Sequence, residues 1–389
     1  IQVFDPATKQ LLGSRSLVSS PESMIVDSAS HTIIVGCSGD YSVIPPVLYQ
    51  IDAATLRVMD SVVLGAPGAS FALVQGDRPY LVMGDQVLTL DRIPQRIAVI
   101  GGGAIGCEFA STFADLGAQV TILEGLPKIL PGLDADLANV VVRSFQKKKI
   151  DIKTGVAVKS HTPTGSGSTV VQFGEGESLE VDAVIVSIGR RPFPDQLNLG
   201  STKVKVSERG FVEVDEWCRT SADNVFAIGD LINTPQLAHV AYAEAILVVK
   251  QILGEKTVPV DYDRVPWAIY CHPEVAFAGM TEAQAAEAGI DVVVKKDPFG
   301  GNSRAQIIGE TDGVVKIIAE KRADGTAGQI LGVHMAGPWV TEQLGAGYYA
   351  VNWEATAEEA AALIQPHPSL SETFGETLLA LAGRGLHVG

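Results

Sequence analysis

The sequence predicts an α/β fold in the middle of the chain, with a β-rich segment before it and a mixed α+β region after it. From Gln95, short apolar strands alternate with a glycine-rich turn and helical segments. Residues 1–82 instead carry β-rich runs separated by Pro/Gly turns, and helix-capping signals appear after Arg264. At roughly 150 residues per domain, the 389 residues correspond to two or three domains.

The composition is that of a globular protein with a sizeable core, at 46% hydrophobic and 19% charged residues. A net charge of −16 argues against binding to nucleic acid or to an anionic membrane surface. The four cysteines lie far apart without a CxxC pair, which argues against a disulfide scaffold or a metal site. No apolar run reaches about 18 residues and no signal-peptide pattern occurs, so we expect a cytoplasmic protein. Because the first residue is Ile1 rather than Met, we expect the natural start to lie elsewhere.

The β-rich segment carries a weak internal repeat. Residues 3–8 (VFDPAT) recur in outline as residues 50–55 (QIDAAT), each followed by a β-rich run and a turn. The spacing is close to the roughly 40–50 residues of a propeller blade, so the segment is predicted to be propeller-like. Two copies are too few to close a ring, which needs at least about four blades. A plain β-meander is an equally good interpretation.

After residue 95 the patterns predict individual elements. A helix is expected at Ala104–Leu116, between strands at Ile97–Ile100 and Gln119–Leu123. Further strands that continue the same sheet are expected near Val156–Val158, Thr169–Phe173 and Ala183–Ile188. Residues 217–262 are predicted to form a strand at Val225–Ile228 and a long alanine-rich helix at Ala238–Leu253. Beyond them, Thr281 with Gly289, and Thr356 with Glu359, mark the ends of helices.

The glycine-rich turn Gly101–Gly106 has the pattern GxGxxG, follows a strand and opens a helix. This context predicts a Rossmann-type domain that binds a dinucleotide. Gly101 permits the tight turn, Gly103 lets the backbone approach the pyrophosphate, and Gly106 permits close packing of helix on strand. The helix N-terminus offers free N–H groups to the phosphates. Glu124 ends the second strand, where a carboxylate accepts hydrogen bonds from the ribose and repels a 2′-phosphate, which favours NAD over NADP.

Four motifs in order carry a family resemblance: GGGAIGCE at 101–108, SIGRRP at 187–192, FAIGD at 226–230 and HPSLSE at 367–372. In this order they resemble the pyridine nucleotide-disulfide oxidoreductases, most closely the dihydrolipoamide dehydrogenases of the actinobacterial type, over roughly residues 84–389. The resemblance implies NAD and FAD as cofactors and the reaction dihydrolipoamide + NAD⁺ ⇌ lipoamide + NADH. It also implies a homodimer that acts on lipoamide or a lipoyl domain, in a 2-oxo-acid dehydrogenase complex.

The resemblance also implies roles for individual residues. His367 would be the catalytic acid/base and Glu372 would hold its imidazole, a pairing that suits a histidine acting as general acid/base. Asp230 would bind the ribityl-phosphate part of FAD, and Gln236, Leu237, Ala238 and His239 would run under the flavin ring. The positions expected to line the NAD site are Gly101, Gly103, Ala104, Ile105, Gly106, Glu108, Glu124, Val158 and Gly189. Residues 270–274 and 302–305 also match the family's C-terminal domain.

The resulting domain plan is a β-rich segment (1–82), an NAD-binding Rossmann domain (83–216), a partial FAD domain (217–263) and a C-terminal α+β dimerisation domain (264–389). Two parts of the family plan do not occur in these 389 residues: a first glycine-rich turn for FAD and a Cys-x4-Cys pair. Hydride transfer to flavin and turnover of lipoamide depend on those parts. The partial FAD domain is therefore expected to leave apolar surface uncovered.

Three functions remain open from the sequence. The first is a flavin- and NAD-dependent oxidoreductase of the dihydrolipoamide dehydrogenase type. The second is a catalytically inactive or truncated NAD(H)-binding homologue. The third is an interaction protein in which residues 1–82 are the functional part.

Overall fold

The structure is a computed structural model that describes residues 92–386, without the side chain of residue 196, and the backbone of nine strands before residue 92. By its internal contacts the chain divides into two units. The first comprises Ile1–Ile100, Gly106–Gly125 and Lys147–Ile185, and the second Gly101–Ile105, Leu126–Gln146 and Val186–Gly389. Among the residues described, no helix has the length and apolar character needed to cross a membrane.

The strands before residue 92 form three antiparallel sheets. The middle sheet has four strands that pair in chain order, whereas the first has two and the last has three. The strands are β1 (Gln2–Phe4), β2 (Leu11–Ser14), β3 (Pro21–Asp27), β4 (Thr32–Cys37), β5 (Val47–Asp52), β6 (Val58–Val63), β7 (Phe71–Gln75), β8 (Arg78–Met83) and β9 (Gln86–Thr89). The expectation of a β-rich segment is thus met, while its propeller-like character stays a prediction.

The following segment contains the strand–turn–helix alternation that the sequence predicts. Its elements are β10 (Arg96–Ile100), α1 (Ala104–Asp115), β11 (Gln119–Glu124), α2 (Ala135–Lys147), β12 (Asp151–Thr154), β13 (Val158–Pro163), β14 (Thr169–Phe173), β15 (Glu177–Val181) and β16 (Ala183–Val186). Four strands form one sheet in the order β12-β11-β10-β16, with β10, β11 and β12 parallel. This order, with the fourth strand on the far side of the first, is that of a mononucleotide-binding half of a Rossmann fold.

Three strand predictions in this part of the chain were wrong, two in their sheet and one in its existence. Strands β13 and β14 do not continue the parallel sheet, because they pair with β15 in a separate antiparallel sheet. The predicted strand Val225–Ile228 is no strand, because only an isolated bridge joins Phe226 to Arg219. An apolar run forms a strand only when a neighbouring segment supplies the pairing, so a short run alone is an ambiguous signal.

The remaining elements belong to the second unit. They are α3 (Ala238–Ile252), β17 (Trp267–Ile269), β18 (Glu274–Gly279), α4 (Glu282–Glu287), β19 (Val292–Pro298), α5 (Ser303–Ile308), β20 (Val314–Lys321), β21 (Ala327–Gly337), α6 (Val340–Asn352), α7 (Ala357–Ala361) and α8 (Glu372–Leu381). Five strands form an antiparallel sheet in the order β17-β18-β21-β20-β19. Residues of α6, α7 and α8 share one buried core with this sheet.

The helix ends follow local capping chemistry. Thr281 and Thr356 each form a capping box, with Gln284 and Glu359 respectively, at the start of α4 and α7. The predicted caps at Thr281 and Thr356 are therefore confirmed. Helix α3 covers Ala238–Ile252, against the predicted Ala238–Leu253, because Leu253 forms its C-cap.

Candidate active site

The glycine-rich turn begins where β10 ends, and its first residue has no room for a side chain. Gly101 has φ +104°, and a Cβ there would lie 2.4 Å from the carbonyl oxygen of Ser187. The Ser187 hydroxyl also donates a hydrogen bond to the carbonyl of Gly101 at 3.1 Å. Gly101 is therefore required by the backbone conformation and by the close approach of residue 187.

Gly103 differs from Gly101, because a Cβ there would meet no atom of the described residues within 4 Å. The residues that the structure describes give no reason for a glycine at this position, whereas a phosphate group approaching the backbone would. Helix α1 begins at the next residue, Ala104, which is exposed, as is Ile105. The helix N-terminus therefore presents its N–H groups to the open side, and Gly106 is buried within α1. The residues of the turn fit the pyrophosphate of NAD.

Glu124 is the last residue of β11 and is buried, with 8% of its surface exposed. In the parallel pairing of β10 with β11, Ile100 lies opposite Leu123. Glu124 is therefore at the carboxyl edge of this sheet, the edge at which doubly wound folds bind their ligands. The other positions assigned to NAD lie further along: Glu108 and Val158 are half-buried, and Gly189 is exposed with φ +117°.

On the flavin side, Asp230 follows Gly229, which has φ +68°. The Asp230 carboxylate is about half exposed and accepts a hydrogen bond from the Arg190 guanidinium at 3.0 Å. Arg190 donates a second hydrogen bond to the carbonyl of Gln236. Arg190 thus joins Asp230 to the stretch 236–239, the two segments that the resemblance assigns to FAD.

The stretch 236–239 leads into α3. Leu237 is the N-cap residue, Ala238 is the first helical residue, and the His239 ring nitrogen Nε2 lies 2.8 Å from the carbonyl oxygen of Pro266. Together with Asp230, these residues fit the ribityl and flavin end of FAD. No counterpart of the family's first glycine-rich turn, which would hold the FAD pyrophosphate, occurs in these 389 residues.

Sequence reasoning missed Glu244, a fully buried carboxylate on α3. It accepts hydrogen bonds from the N–H of Gly229 at 2.6 Å, the hydroxyl of Thr234 at 2.8 Å and the hydroxyl of Tyr262 at 3.0 Å. Three donors compensate for the loss of water around the charge. Burial, followed by the Glu244 charge, raises the pKa of Tyr262. Glu244 therefore fixes the turn at Gly229, one residue before Asp230, from the side of the helix.

One face of α3 remains open to solvent. Large apolar side chains repeat along it at helical spacing and are 53–68% exposed: Tyr242, Ile246, Val249 and Leu253. An apolar stripe of this kind normally packs against another element. This agrees with the expectation that a partial FAD domain leaves apolar surface uncovered.

The predicted acid/base pair is formed in the C-terminal segment. Nδ1 of His367 lies 2.8 Å from a carboxylate oxygen of Glu372, and the histidine side chain is 69% exposed. The other oxygen of Glu372 accepts the N–H of Ser369 at 2.7 Å. A carboxylate at Nδ1 favours the tautomer with its proton on Nδ1, which leaves Nε2 as the proton acceptor.

Asn302 supports this segment from a distance in the sequence. Its side-chain amide donates to the carbonyl of Ser369 at 2.9 Å and to the hydroxyl of Thr373 at 3.0 Å, while its carbonyl caps α5 at Ala305. Asn302 is itself buried. The His367–Glu372 turn is therefore anchored to the start of α5, which identifies a structural role for the matched stretch 302–305.

No metal site emerges in the part of the chain described: no group of three or more His, Cys, Asp or Glu side chains is arranged to hold an ion. The three cysteines described, Cys107, Cys218 and Cys271, are buried and form no disulfide with one another. Burial, followed by the charge of Glu244, raises the pKa of Cys218 to about 11. The Cys218 thiol is therefore a poor nucleophile at neutral pH.

Two family models match the chain. Residues 57–245 match "Pyridine nucleotide-disulphide oxidoreductase", and residues 265–378 match the dimerisation domain of the same family. The first match begins at residue 57, within the segment that the sequence patterns assign to the β-rich repeat.

Curated relatives are similar over most of the chain. The dihydrolipoyl dehydrogenase of Bacillus subtilis is 34% identical over 354 residues, which cover 87% of this chain and 74% of the relative. That of Cupriavidus necator is 35% identical over 347 residues, covering 87% of this chain and 72% of the relative.

Solved structures are similar as well. The HOCl-induced flavoprotein disulfide reductase RclA from Escherichia coli has a TM-score of 0.70 at 30% identity, covering 74% of this chain and 65% of that one. LpdA from Mycobacterium tuberculosis has a TM-score of 0.70 at 26% identity, covering 92% of this chain and 76% of that one.

Proposed function

The chain belongs to the pyridine nucleotide-disulphide oxidoreductase family, and we propose that it oxidises dihydrolipoamide with NAD⁺, giving lipoamide and NADH. Membership confirms the resemblance drawn from the four motifs. It also confirms the expectation of a dihydrolipoamide dehydrogenase-like enzyme of a family that uses FAD and NAD(H).

The observation that carries the proposed reaction is the His367–Glu372 pair, with 2.8 Å between Nδ1 and the carboxylate. Oxidation of a dithiol releases two protons and two electrons, and a thiol must lose its proton before its sulfur reacts. His367 is exposed, and the carboxylate of Glu372 favours the neutral tautomer with its proton on Nδ1, so Nε2 is the nitrogen that would accept the proton of a dihydrolipoamide thiol. Glu372 then stabilises the imidazolium that forms.

The glycine-rich turn binds the other substrate. Gly101, Gly103, Ala104 and Ile105 would hold the pyrophosphate of NAD at the N-terminus of α1, and Glu124 would accept the ribose hydroxyls. FAD, when bound, would supply the two-electron chemistry that links the dithiol to NAD⁺. Asp230 would hold its ribityl part, with Gly229 fixed by Glu244 and Asp230 tied to Gln236 by Arg190.

We further propose a homodimer formed through residues 265–378, which match the dimerisation domain of the family. The proposed substrate form in the cell is a lipoyl domain of a 2-oxo-acid dehydrogenase complex in the cytoplasm. The names of the curated relatives support this substrate.

A second function is favoured by one specific observation, the wide spacing of the four cysteines. No two of the four are five positions apart, so the family's Cys-x4-Cys pair has no counterpart in these residues. In this second proposal the chain binds NAD(H) without turning over lipoamide. The cysteines separate the two proposals, because disulfide exchange with lipoamide requires a thiol pair.

For the β-rich segment we retain the propeller-like interpretation as a proposal. The four strands β3–β6 pair antiparallel in chain order, as do the strands of a propeller blade. The two copies of the repeat align β1 with β5, since each of these strands ends at an Asp-x-Ala-Thr segment. A fragment of residues 1–82 that fails to fold alone would remove the support for the interaction function.

The experiment that tests the proposed reaction mixes the purified chain with dihydrolipoamide and NAD⁺ and follows NADH formation. We expect turnover by the wild type and a loss on the order of 100-fold or more in His367→Gln, because general acid/base catalysis contributes about that much. NADH binding should be unchanged in this variant. Absence of NADH formation by the wild type, together with tight NADH binding, would refute the dehydrogenase in favour of the NAD(H)-binding protein.

A further inference from the structure

Lys316, in the middle of β20, is a buried cation with three acidic partners. Only 2% of its side chain is exposed, and its Nζ lies 2.9 Å from Asp134, 2.8 Å from Asp136 and 3.2 Å from Glu282. Burial opposes the charge and lowers the pKa of Lys316, but the hydrogen bonds that it donates to Asp136 and Asp134 outweigh this and raise the pKa overall. Lys316 is therefore charged and held in one geometry.

Two of the partners belong to the start of α2. Asp134 is buried and caps this helix, because its carboxylate accepts the N–H of Asp136 at 2.9 Å. The same carboxylate uses its second oxygen for Lys316. Asp136 also binds Lys296 at 2.8 Å, but Lys296 is 56% exposed, so this outer pair is weak.

The chain immediately before Asp134 reaches the glycine-rich turn. The N–H of Leu130 donates a hydrogen bond to the carbonyl of Gly102 at 2.7 Å, and the N–H of Leu133 closes a turn on the carbonyl of Leu130 at 3.2 Å. Leu130 is buried and has φ +51°, a conformation that a leucine adopts only when its surroundings impose it. Asp134 is one residue beyond this turn.

The hydrogen bond that the Gly102 carbonyl accepts from Leu130 determines where the N–H of Gly103 points. A trans peptide is planar, so its carbonyl and its N–H point in opposite directions. Because the Gly102 carbonyl points to Leu130, the N–H of Gly103 points away from Leu130. Gly103 is also the residue whose Cβ position has no described atom within 4 Å.

We infer that Lys316 is a positioning residue for the glycine-rich turn at residues 101–106. By holding Asp134, Lys316 fixes the turn at residues 130–133, and through the Gly102 carbonyl it orients the Gly103 N–H toward the pyrophosphate. The strand that carries Lys316 lies in the sheet of the dimerisation domain, so that domain contributes to the affinity for NAD(H). The inference goes beyond the proposed reaction and depends only on its NAD site.

The test compares Lys316→Met with Lys296→Met as a matched control on the neighbouring strand. Methionine conserves the length of the side chain and removes the charge. We expect the Kd for NADH, measured by fluorescence titration of the full chain, to rise about 3- to 30-fold in Lys316→Met, as for other couplings through a packed network. In Lys296→Met it should stay within about twofold of the wild type.

A second readout does not depend on the ligand. Hydrogen exchange at residues 101–106 and 126–134 should accelerate in Lys316→Met without nucleotide and stay unchanged in Lys296→Met. Where Lys316→Met does not fold, Asp134→Asn is the milder variant, because asparagine keeps the helix cap and weakens only the charge pair. An unchanged Kd with unchanged exchange in the folded variant overturns the inference. A wild type that does not bind NADH instead contradicts the proposed function, and the exchange measurement still decides the inference.

Discussion

Replacing Glu244 is expected to lower the stability of the fold, and alanine should lower it more than glutamine. In Glu244→Ala, three donors in a buried site lose their acceptor: the N–H of Gly229 and the hydroxyls of Thr234 and Tyr262, now at 2.6, 2.8 and 3.0 Å. Each unsatisfied buried donor costs about 1–3 kcal/mol, so even the lower value gives a loss of about 3 kcal/mol. The cavity left by the side chain adds to this loss.

Glu244→Gln removes the charge of the side chain but keeps its ability to form hydrogen bonds. Its amide oxygen still accepts a hydrogen bond, and the hydroxyls of Thr234 and Tyr262 are able to rotate to accept from its NH2 group. We therefore expect a loss of about 1 kcal/mol in this variant, clearly less than in Glu244→Ala.

Differential scanning calorimetry provides the assay. At roughly 2–4 °C per kcal/mol for a domain of 150–250 residues, Glu244→Ala should lower Tm by roughly 6–12 °C. Glu255→Ala is the matched control, because Glu255 is exposed just beyond the end of α3. A shift in Glu244→Ala no larger than that of Glu255→Ala, or a glutamine variant less stable than the alanine variant, would refute the reasoning.

Four further predictions follow from other sites. Glu124→Ala should raise the Kd for NADH and reduce the preference over NADPH, since it removes a ribose acceptor and the repulsion of a 2′-phosphate; an unchanged ratio of the two Kd values contradicts the assignment. Glu372→Gln should lower the rate of dithiol oxidation while leaving the Kd for NADH unchanged, so parallel losses in both would show a structural effect instead. Iodoacetamide at pH 9 should modify Cys218 on the order of 50-fold more slowly in the folded than in the unfolded chain, because burial and then Glu244 raise its pKa to about 11; equal rates contradict this. Burial raises the pKa of Asp136, but the hydrogen bonds from Lys296 and Lys316 lower it overall, so its stabilising effect should be present above about pH 4 and be lost as the pH falls below that value. Tm measured against pH should accordingly lose part of its acid dependence in Asp136→Asn.

Local signals in the sequence were sufficient to predict the strand and the helix on either side of the glycine-rich turn. Helix α1 was predicted at Ala104–Leu116 and lies at Ala104–Asp115, because the glycine-rich turn and a strand define its start. The errors lie where pairing is non-local. The strand at Thr169–Phe173 was placed correctly, yet its sheet was wrong, because an apolar alternation does not reveal which segment will pair with it.

The same distinction applies to the site. The positions of His367 and Glu372 came from a motif in which the two residues are five apart, so the sequence itself brought them together. Lys316 and its partner Asp134 are separated by 182 positions, and only the fold brings them into contact. A signal was nevertheless present: Lys316 interrupts the apolar run of β20, and Glu244 interrupts an alanine-rich helix. Charged residues at buried positions are nearly always paired, so each predicts a polar partner without naming it.

The most direct test of the central claim is a titration of the purified full chain with NADH under anaerobic conditions, followed by visible absorption. We expect a yellow protein whose flavin band is bleached by NADH, because residues 101–106 would hold the dinucleotide, Asp230 and residues 236–239 would hold FAD, and FAD would supply the hydride chemistry between them. A colourless protein without extractable FAD, or a flavin band that NADH leaves unchanged, would contradict the assignment of this chain as an NAD-linked flavin oxidoreductase.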